Sequence, residues 1–478
     1  MKLLGIFLIT CTALAAKAPI ASRVTALIKA SPIASTAFWG IEVQDLDSNR
    51  AIFHLNEQRF FVPASNTKLF TTALALTRLG ADFRVDTVVT ATAPPDPEGR
   101  IAGSLTLIGA GDPNLSGRPI PYSPEAPKLD PLTAMRDLAR QLFDRGVRSV
   151  AGDVVGDDTR FAYEPYGPGW GIDDPATSDG APVSALSVND NSISLKIEPT
   201  QLTFLPPLPV FTVENQIVSG PERDIHVSRE SGSATLRLWG TMPAADTGET
   251  LSLGVDDPAR FAALALIAAL RDQGISVAGK AVAVHRYPGS YPGAPEGFVS
   301  QKGDTLATHR SPPLIEDLRV TDKVSQNLHA EILLRLVGQG SRREGLKALD
   351  EFVSQAGIDK KDYSLQDGSG MSRQNLVTPH AVVQLLSFMS KSQLAADFAS
   401  LLPVAGVDGS LRLRFANSKA KGKVFAKTGS LPHTSALSGY ALRRDGHRLA
   451  FSILVNNYNG PSASIRETID RICALLVE

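Results

Sequence analysis

Apolar and polar residues near the start of the chain follow two different spacings. In residues 37–57, apolar and aromatic residues stand on both sides of a polar cluster at 47–49, which predicts two strands joined by a turn. Residues 66–80 carry leucines at helical spacing and end on a glycine, so they predict a helix. Residues 22–32 predict a shorter helix ahead of these elements.

The last part of the chain also combines helices with strands. Helical spacing recurs in three segments and again at the very end, in residues 324–338, 343–357, 378–392 and 462–478. Three β-like segments precede the final helix, in residues 424–430, 435–446 and 447–457, and a turn at Asp445-Gly446 joins the last two. Helices around one antiparallel sheet give an α+β fold class.

Residues 83–302 have a different composition. They are rich in proline and glycine, and short β-like runs lie between the turns, as in 104–109, 149–156 and 234–240. One helix is predicted there, at 261–274. We therefore predict a mainly β inserted region with two subdomains, about 83–160 with 245–302 and 161–244 nested, inside one domain made of 19–82 and 303–478.

The charge balance argues against a nucleic-acid partner. The 478 residues include 48 Lys plus Arg and 49 Asp plus Glu, and no basic stripe is interleaved with aromatic residues. Charge alone therefore identifies no ligand.

The first 18 residues have the pattern of a secretory signal peptide. A lysine precedes an apolar run from Leu3 to about Ala16, and small residues follow. No later segment reaches the ~20 apolar residues of a membrane span. We expect an exported chain in the periplasm or cell-wall space with no transmembrane segment, although peripheral membrane association is left open. The mature chain would keep only Cys473, and lipid attachment at Cys11 is the alternative to simple cleavage.

Ser65 and Lys68 form a Ser-x-x-Lys pair at the start of the helix predicted over 66–80. Three residues make nearly one helical turn, so both side chains project from the same face. A lysine can take a proton from a serine only if burial or a second cation lowers its pKa. The alternative is that Ser65 only caps the helix. A second match, Ser418 with Lys421, lies in a charged stretch that is typical of a solvated loop.

The triplet Lys427-Thr428-Gly429 supplies the second cation on a predicted strand, and Ser430 follows it. Lysine and threonine can bind a carboxylate, and glycine allows the strand backbone to approach a ligand closely. This triplet occurs once in the chain.

Ser325-Gln326-Asn327 opens another predicted helix. A second Ser-x-Asn, at 187–189, lies in the inserted region, so this pattern alone is weak. In chain order, Ser-x-x-Lys, Ser-x-Asn and Lys-Thr-Gly resemble the motif set of the penicillin-recognising serine enzymes. The chain resembles in particular the low-molecular-mass penicillin-binding proteins of the D-alanyl-D-alanine carboxypeptidase/endopeptidase family, which carry a large insertion after the active-site helix. The resemblance extends over nearly the whole mature chain, including the stretches 169–194, 323–335, 367–379 and 402–415.

The resemblance implies a role for each motif residue. Ser65 would be the nucleophile and Lys68 its base, Ser325 would relay a proton to the leaving group, and Asn327 would orient Lys68 and bind the substrate amide. Lys427 and Thr428 would bind the terminal carboxylate, Gly429 would let the strand approach the substrate, and the backbone N–H groups of Ser65 and Ser430 would form the oxyanion hole. No metal or organic cofactor is implied. Peptidoglycan peptides would be substrates and β-lactams inhibitors.

The resemblance also implies a pocket for a peptidoglycan stem residue, lined by Asp174 and Arg373. An aromatic residue is common in the family where this chain has Asp179. The local alternatives are a solvated pair for Asp173 and Asp174, and an ordinary ion pair for Arg373 with some carboxylate. Residues 367–370, Asp-Gly-Ser-Gly, could likewise be only a tight turn.

His329 with Glu331 is interpreted as a coincidence on a helix surface, not a metal motif. The predicted function is a serine DD-peptidase that hydrolyses D-Ala-D-Ala termini, D-Ala cross-bridges or both through an acyl-enzyme. Two alternatives remain at this point: a non-catalytic peptidoglycan-binding or assembly module, and a serine β-lactamase. The sequence does not decide the stem residue, the oligomeric state or the balance between the two peptidase activities.

Overall fold

A computed structural model describes residues 19–127, 129–230, 232–288 and 303–478. The predicted signal peptide, including Cys11, lies outside the described residues. Within these ranges, no helix has both the length and the apolar character needed to cross a membrane.

The described residues form eleven α-helices. Their bounds are α1 Ile20–Ala30, α2 Pro32–Thr36, α3 Lys68–Leu79, α4 Thr133–Asp144, α5 Pro258–Asp272, α6 Leu314–Lys323, α7 Asn327–Val337, α8 Arg342–Gln355, α9 Pro379–Lys391, α10 Ala395–Leu401 and α11 Ser462–Leu476.

The same residues form twenty-three β-strands. Their bounds are β1 Phe38–Asp45, β2 Arg50–Leu55, β3 Asp86–Ala91, β4 Arg100–Ile101, β5 Leu105–Ile108, β6 Asp112–Leu115, β7 Ser149–Val150, β8 Val154–Ala162, β9 Leu186–Val188, β10 Ser192–Glu198, β11 Gln201–Leu205, β12 Thr212–Ser219, β13 Asp224–Ser228, β14 Thr235–Met242, β15 Glu249–Gly254, β16 Ser276–Val277, β17 Ala281–Arg286, β18 Asp304–Arg310, β19 Tyr363–Ser364, β20 Leu376–Val377, β21 Val424–Leu431, β22 Thr434–Leu442 and β23 Arg448–Asn456.

The two ends of the chain meet in one antiparallel sheet. Its strand order is β2-β1-β23-β22-β21, so the first hairpin pairs with the last strand of the chain. Helices α1 and α11 cover one face, where Val24 and Ile469 share a buried cluster with Phe451. Helices α3 and α9 pack on the other face, where Leu74, Leu385 and Leu454 share a second buried cluster. The predicted α+β class, an antiparallel sheet flanked by helices, is confirmed.

The inserted region contains several smaller sheets. The largest has the order β17-β8-β5-β3-β18, and three-stranded sheets form from β11-β10-β15, β12-β14-β13 and β16-β7-β4. Strand β18 pairs with β3, so residues just after 303 still join this region's sheet. The division into domains and nested subdomains stays a prediction.

The sequence predicted one helix in the inserted region, and this was wrong. Helix α4 is a second one, and it packs against α5 and β18. Its buried residues Met135, Leu138 and Leu142 have the spacing of one helix face. Proline-rich segments on its N-terminal side had obscured this amphipathic pattern.

The other predicted helices and strands occur close to their predicted bounds. Helix α6 was not predicted, although it leads directly into the Ser-x-Asn motif. Its buried residues are Leu314, Leu318 and Val320 together with four polar ones, three of which, Thr321, Asp322 and Lys323, lie in its last turn. Polar residues therefore interrupt the hydrophobic spacing of its buried face.

Candidate active site

Ser65 lies in a 3₁₀ turn, Ala64–Thr67, that runs directly into α3. Ala64 has a left-handed backbone, with φ of 48°, which is rare for a residue other than glycine and occurs where surrounding structure enforces it. No side chain caps the start of α3, so the interpretation of Ser65 as only a helix cap does not hold. Its Oγ instead accepts a hydrogen bond from Lys68 Nζ, at 2.9 Å.

Lys68 is fully buried, and its Nζ lies within hydrogen-bonding distance of three oxygens. Besides Ser65 Oγ, it lies 2.6 Å from Asn327 Oδ1 and 2.6 Å from the backbone oxygen of Ser369. Burial lowers the pKa of Lys68 to about 8, although nearby carboxylates, Asp367 foremost, oppose the shift. A lysine with this pKa is partly uncharged near neutral pH and can then accept the proton of Ser65.

A second serine–lysine contact joins the other two motifs. Lys427 is buried on β21, and its Nζ donates to Ser325 Oγ at 2.8 Å and to the backbone oxygen of Thr428 at 2.9 Å. Burial and then the charge of Lys68 lower the pKa of Lys427. Ser325 has φ of 68°, a left-handed conformation between α6 and α7 that turns the chain toward Lys427.

Strand β21 lies against the turn that carries Ser65. Asn66 Nδ2 donates to the backbone oxygen of Lys427 at 3.0 Å. A side chain at Gly429 would place its Cβ 2.7 Å from the backbone oxygen of Pro63, so this close approach requires glycine. The structure therefore brings all three predicted motifs into one place.

Thr428 and Ser430 lie on the same strand, beyond Lys427. Thr428 Oγ1 is 2.8 Å from Ser410 Oγ, a contact that the sequence did not predict. The chain just before Ser410 is held by Lys323, which donates to Asp408 Oδ2 at 2.5 Å. Ser410 therefore supplies an extra hydroxyl beside the predicted carboxylate-binding residues.

Residues 367–370 form a tight turn and also contribute to the site. Asp367 accepts hydrogen bonds from the backbone N–H groups of Gly370 and Ser372, at 2.9 and 2.6 Å. This turn presents the backbone oxygen of Ser369 to Lys68. The two interpretations of the Asp-Gly-Ser-Gly stretch are therefore compatible.

The two residues of the predicted stem-residue pocket contact each other. Arg373 makes an ion pair with Asp174, whose Oδ2 also accepts from the backbone N–H of Gly171 at 2.6 Å. The Asp174 side chain is only 14% exposed, so it is not half of a solvated pair with Asp173. The local alternative for Arg373 was an ordinary ion pair with a carboxylate, and its ion pair with Asp174 fits that alternative.

Sequence reasoning gave no role to several buried acidic groups near Lys68. Glu331 accepts from the backbone N–H groups of Gly368 and Ser369, at 2.8 and 2.9 Å, and pairs with Arg335. Asp322 is buried on α6. The backbone oxygen of Asp179 accepts a hydrogen bond from Asn327 Nδ2 at 3.0 Å. Asp179, which stands where an aromatic residue is common in the family, therefore contacts the Ser-x-Asn motif through its backbone. Nothing in the sequence pattern marks these contacts, because they depend on burial.

The interpretation of His329 and Glu331 as helix-surface residues was wrong, since both are fully buried. His329 lies between two carboxylates, 2.6 Å from Asp317 Oδ1 and 3.0 Å from Asp190 Oδ1. Arg118 also pairs with Asp190, so this cluster joins the inserted region to α6 and α7.

Within the described ranges, one group could bring three metal-ligand atoms together, and it lies in another part of the chain, at Asp45, Asp47 and His447. Asp45 Oδ1 already accepts two backbone N–H groups of its own turn, at 3.0 and 2.8 Å. The lysines and serines of the three motifs are not part of this group.

The duplicate motifs are engaged in local turns. Ser418 Oγ accepts from the backbone N–H of Ala420 at 3.2 Å, and Lys421 is exposed. Ser187 Oγ lies 3.1 Å from the backbone oxygen of Ser184, and Asn189 Nδ2 donates to that of Ser192 at 2.9 Å.

Comparison with known proteins gives a consistent family assignment. Residues 20–476 match the model of the D-Ala-D-Ala carboxypeptidase 3 (S13) family. A D-alanyl-D-alanine carboxypeptidase from Actinomadura sp. (strain R39) is 33% identical over 456 residues, which cover 90% of this chain and 80% of that protein.

Solved structures agree with the fold. Penicillin binding protein 4 (dacB) from Haemophilus influenzae is similar with a TM-score of 0.80 at 24% identity, covering 95% of this chain and 99% of that one. The same protein complexed with a novel beta-lactam has a TM-score of 0.75 at 23% identity, again over 95% of this chain and 99% of that one.

Proposed function

The chain belongs to the D-Ala-D-Ala carboxypeptidase 3 (S13) family, and from that premise we propose that it is a serine DD-peptidase acting on peptidoglycan peptides through an acyl-enzyme at Ser65. The observation that carries the site assignment is the contact of the buried Lys68 Nζ with Ser65 Oγ, at 2.9 Å. A serine held by a buried lysine of lowered pKa is an activated nucleophile.

Acylation uses both serine–lysine pairs. Uncharged Lys68 takes the proton of Ser65 as Oγ bonds to the carbonyl carbon of the penultimate D-alanine. The charge on the carbonyl oxygen is received by the backbone N–H groups of Ser65 and Ser430, and such donors are worth about 2.7–4 kcal/mol each in other acyl-transfer sites.

Departure of the terminal D-alanine requires a proton on its nitrogen. Ser325 Oγ lies 2.8 Å from Lys427 Nζ. Ser325 can therefore pass a proton from the Lys427 ammonium to the leaving amine. Thr428 and the Lys427 ammonium hold the carboxylate of that D-alanine. A water molecule then hydrolyses the ester and restores Ser65.

β-Lactams resemble the D-Ala-D-Ala terminus in presenting a carbonyl and a carboxylate at a similar spacing, so we propose that penicillin acylates Ser65. Asp174 and Arg373 would bind the charged end of a stem residue by exchanging their mutual ion pair for contacts with substrate. Peptidoglycan lies outside the cytoplasm, which supports the proposal that residues 1–18 direct export.

Labelling with a fluorescent penicillin tests the nucleophile. Wild type should form a covalent adduct and Ser65→Ala should form none. Ser418→Ala is the matched control, because Ser418 belongs to the duplicate Ser-x-x-Lys and should leave labelling at the wild-type level. Labelling of Ser65→Ala at the wild-type rate would contradict the assignment.

Product analysis tests the substrate. Incubation with purified cross-linked and uncross-linked muropeptides should release D-alanine, shortened peptides or monomers, identified by mass. Binding without any product would favour the non-catalytic alternative, and rapid turnover of a chromogenic cephalosporin would favour a β-lactamase.

A further inference from the structure

Asp322 is a buried carboxylate that the mechanism above does not use. It lies in the last turn of α6, three residues before Ser325, and its side chain is fully shielded from solvent. Its Oδ1 has no hydrogen-bond partner among the described residues. A buried carboxylate without full hydrogen bonding is costly, so it persists where its charge or its proton serves the site.

The hydroxyl of Thr72 can form a hydrogen bond with Asp322 in either protonation state of the carboxyl group. Thr72 lies one helical turn after Lys68, and its Oγ1 is 2.8 Å from the backbone oxygen of Lys68 and 3.0 Å from Asp322 Oδ2. A hydroxyl has one hydrogen to donate. If Thr72 donates it to Asp322, the bond favours the ionised carboxylate; if Thr72 donates it to the Lys68 backbone, its lone pair can accept a proton carried by Asp322.

Charged groups from three elements act on Asp322. Lys427 on β21, Lys68 on α3 and Lys323 on α6 all lower its pKa, whereas burial, which is the largest effect, raises it well above the ordinary value. Lys323 already forms an ion pair with Asp408. Lys68 and Lys427 are therefore the two of these three cations that can balance the charge of Asp322. The other acidic groups that act on Lys68 are Asp367, Glu331 and Asp179.

Asp322 also affects both lysines in return. Its negative charge raises the pKa of Lys68 and of Lys427, against the lowering by burial. A site with two amines and one carboxylate can hold a proton at any of the three groups, so its pH dependence belongs to the set rather than to one residue.

We propose that Asp322 is a positioning residue that sets how many protons Lys68 and Lys427 carry when Ser65 is acylated. The inference rests on the proposed function, because it matters only if those lysines act in proton transfer. Asp322 touches no reacting atom; it acts through the two amines.

The pH profile of penicillin acylation distinguishes this role from a structural one. Asp322→Asn removes the negative charge, so both lysines should lose their protons more readily. Both limbs of the profile should then move to lower pH by about one unit or more, as expected for a unit charge within about 12 Å in a medium of effective dielectric constant about 20. A merely structural role would lower the rate at every pH and leave the limbs in place.

A second pair of variants covers the case in which Asp322→Asn does not fold. Thr72→Val keeps the carboxylate but removes its hydrogen bond, which makes Asp322 harder to ionise and should move the limbs in the same direction by less. Thr71→Val is the matched control, because Thr71 Oγ1 is also a buried hydroxyl of α3 but donates to the backbone oxygen of Gly368, at 2.7 Å, and not to Asp322.

Displaced limbs in Asp322→Asn and Thr72→Val, with unmoved limbs in Thr71→Val, support the proposal. Unmoved limbs in Asp322→Asn, or in Thr72→Val when the first variant does not fold, overturn it. Ser65→Ala, assayed beside them, separates failure of the proposed function from failure of this inference. If Ser65→Ala still labels, the proposed nucleophile fails. If it does not label while the limbs stay in place, only the role of Asp322 fails.

Discussion

Replacement of Lys68 by arginine tests the proposed role of Lys68 as the general base, because it changes the charge and length of the side chain little. Burial leaves Lys68 with a pKa of about 8, so about one-tenth of the enzyme has the uncharged amine at about pH 7. Arginine, with a pKa above about 12, would be uncharged in fewer than about one molecule in 10⁵. Since a general base contributes about 10²- to 10⁴-fold, Lys68→Arg should slow acylation by about that factor.

The rate constant of acylation by a fluorescent penicillin, measured from about pH 5 to about pH 10, is the suitable assay. Wild type should show an acidic limb along which the rate rises as the coupled lysines lose a proton and Lys68, whose pKa burial lowers to about 8, becomes uncharged. Lys421→Arg is the matched control, since Lys421 is the exposed lysine of the duplicate motif, and it should acylate like wild type. Acylation of Lys68→Arg within tenfold of wild type would refute the assignment of Lys68 as the base.

Three further outcomes follow from the same structure. His329→Asn should destabilise the chain most at acid pH. Burial lowers the pKa of His329, but the two flanking carboxylates together outweigh it and raise that pKa above 6.5 in the fold. The stabilisation by His329 is therefore complete below about 6.5 and is lost as pH rises through the folded value. Urea unfolding at about pH 6 and about pH 9 checks this, and an equal loss at both would contradict it. Gly429→Ala should slow penicillin acylation, because the new Cβ would come 2.7 Å from the backbone oxygen of Pro63, and an unchanged labelling rate would rule out that crowding. Arg373→Ala should lower kcat/KM more for peptides whose stem side chain ends in charged groups than for those without them; an equal effect on both would remove Arg373 and Asp174 from substrate recognition.

Much of the fold could be predicted because its elements have regular patterns. The hairpin of β1 and β2, the strands β21 to β23 and the helices α3, α7 and α9 all carry apolar runs or apolar residues at helical spacing. Two helices were missed for different reasons. Helix α4 follows proline-rich turns, and α6 turns polar residues inward.

The candidate site divides in the same way. Its motif residues could be singled out because each belongs to a short pattern with a chemical reason, and their order along the chain distinguishes them from the duplicates at 187–189 and 418–421. Asp322, Ser410 and Glu331 have no such pattern around them. Their importance comes from what surrounds them in space.

Short patterns along the chain were enough to identify which side chains could act as nucleophile, base and carboxylate ligand, and which local elements carry them. Folding is what brings Ser65 and Ser325, 260 residues apart in the chain, into one site and buries Lys68, Lys427 and Asp322 there. This matters because the pKa of a side chain depends on the solvent it loses and the charges it meets. Both are set by segments distant in the chain, so no local pattern of residues encodes them.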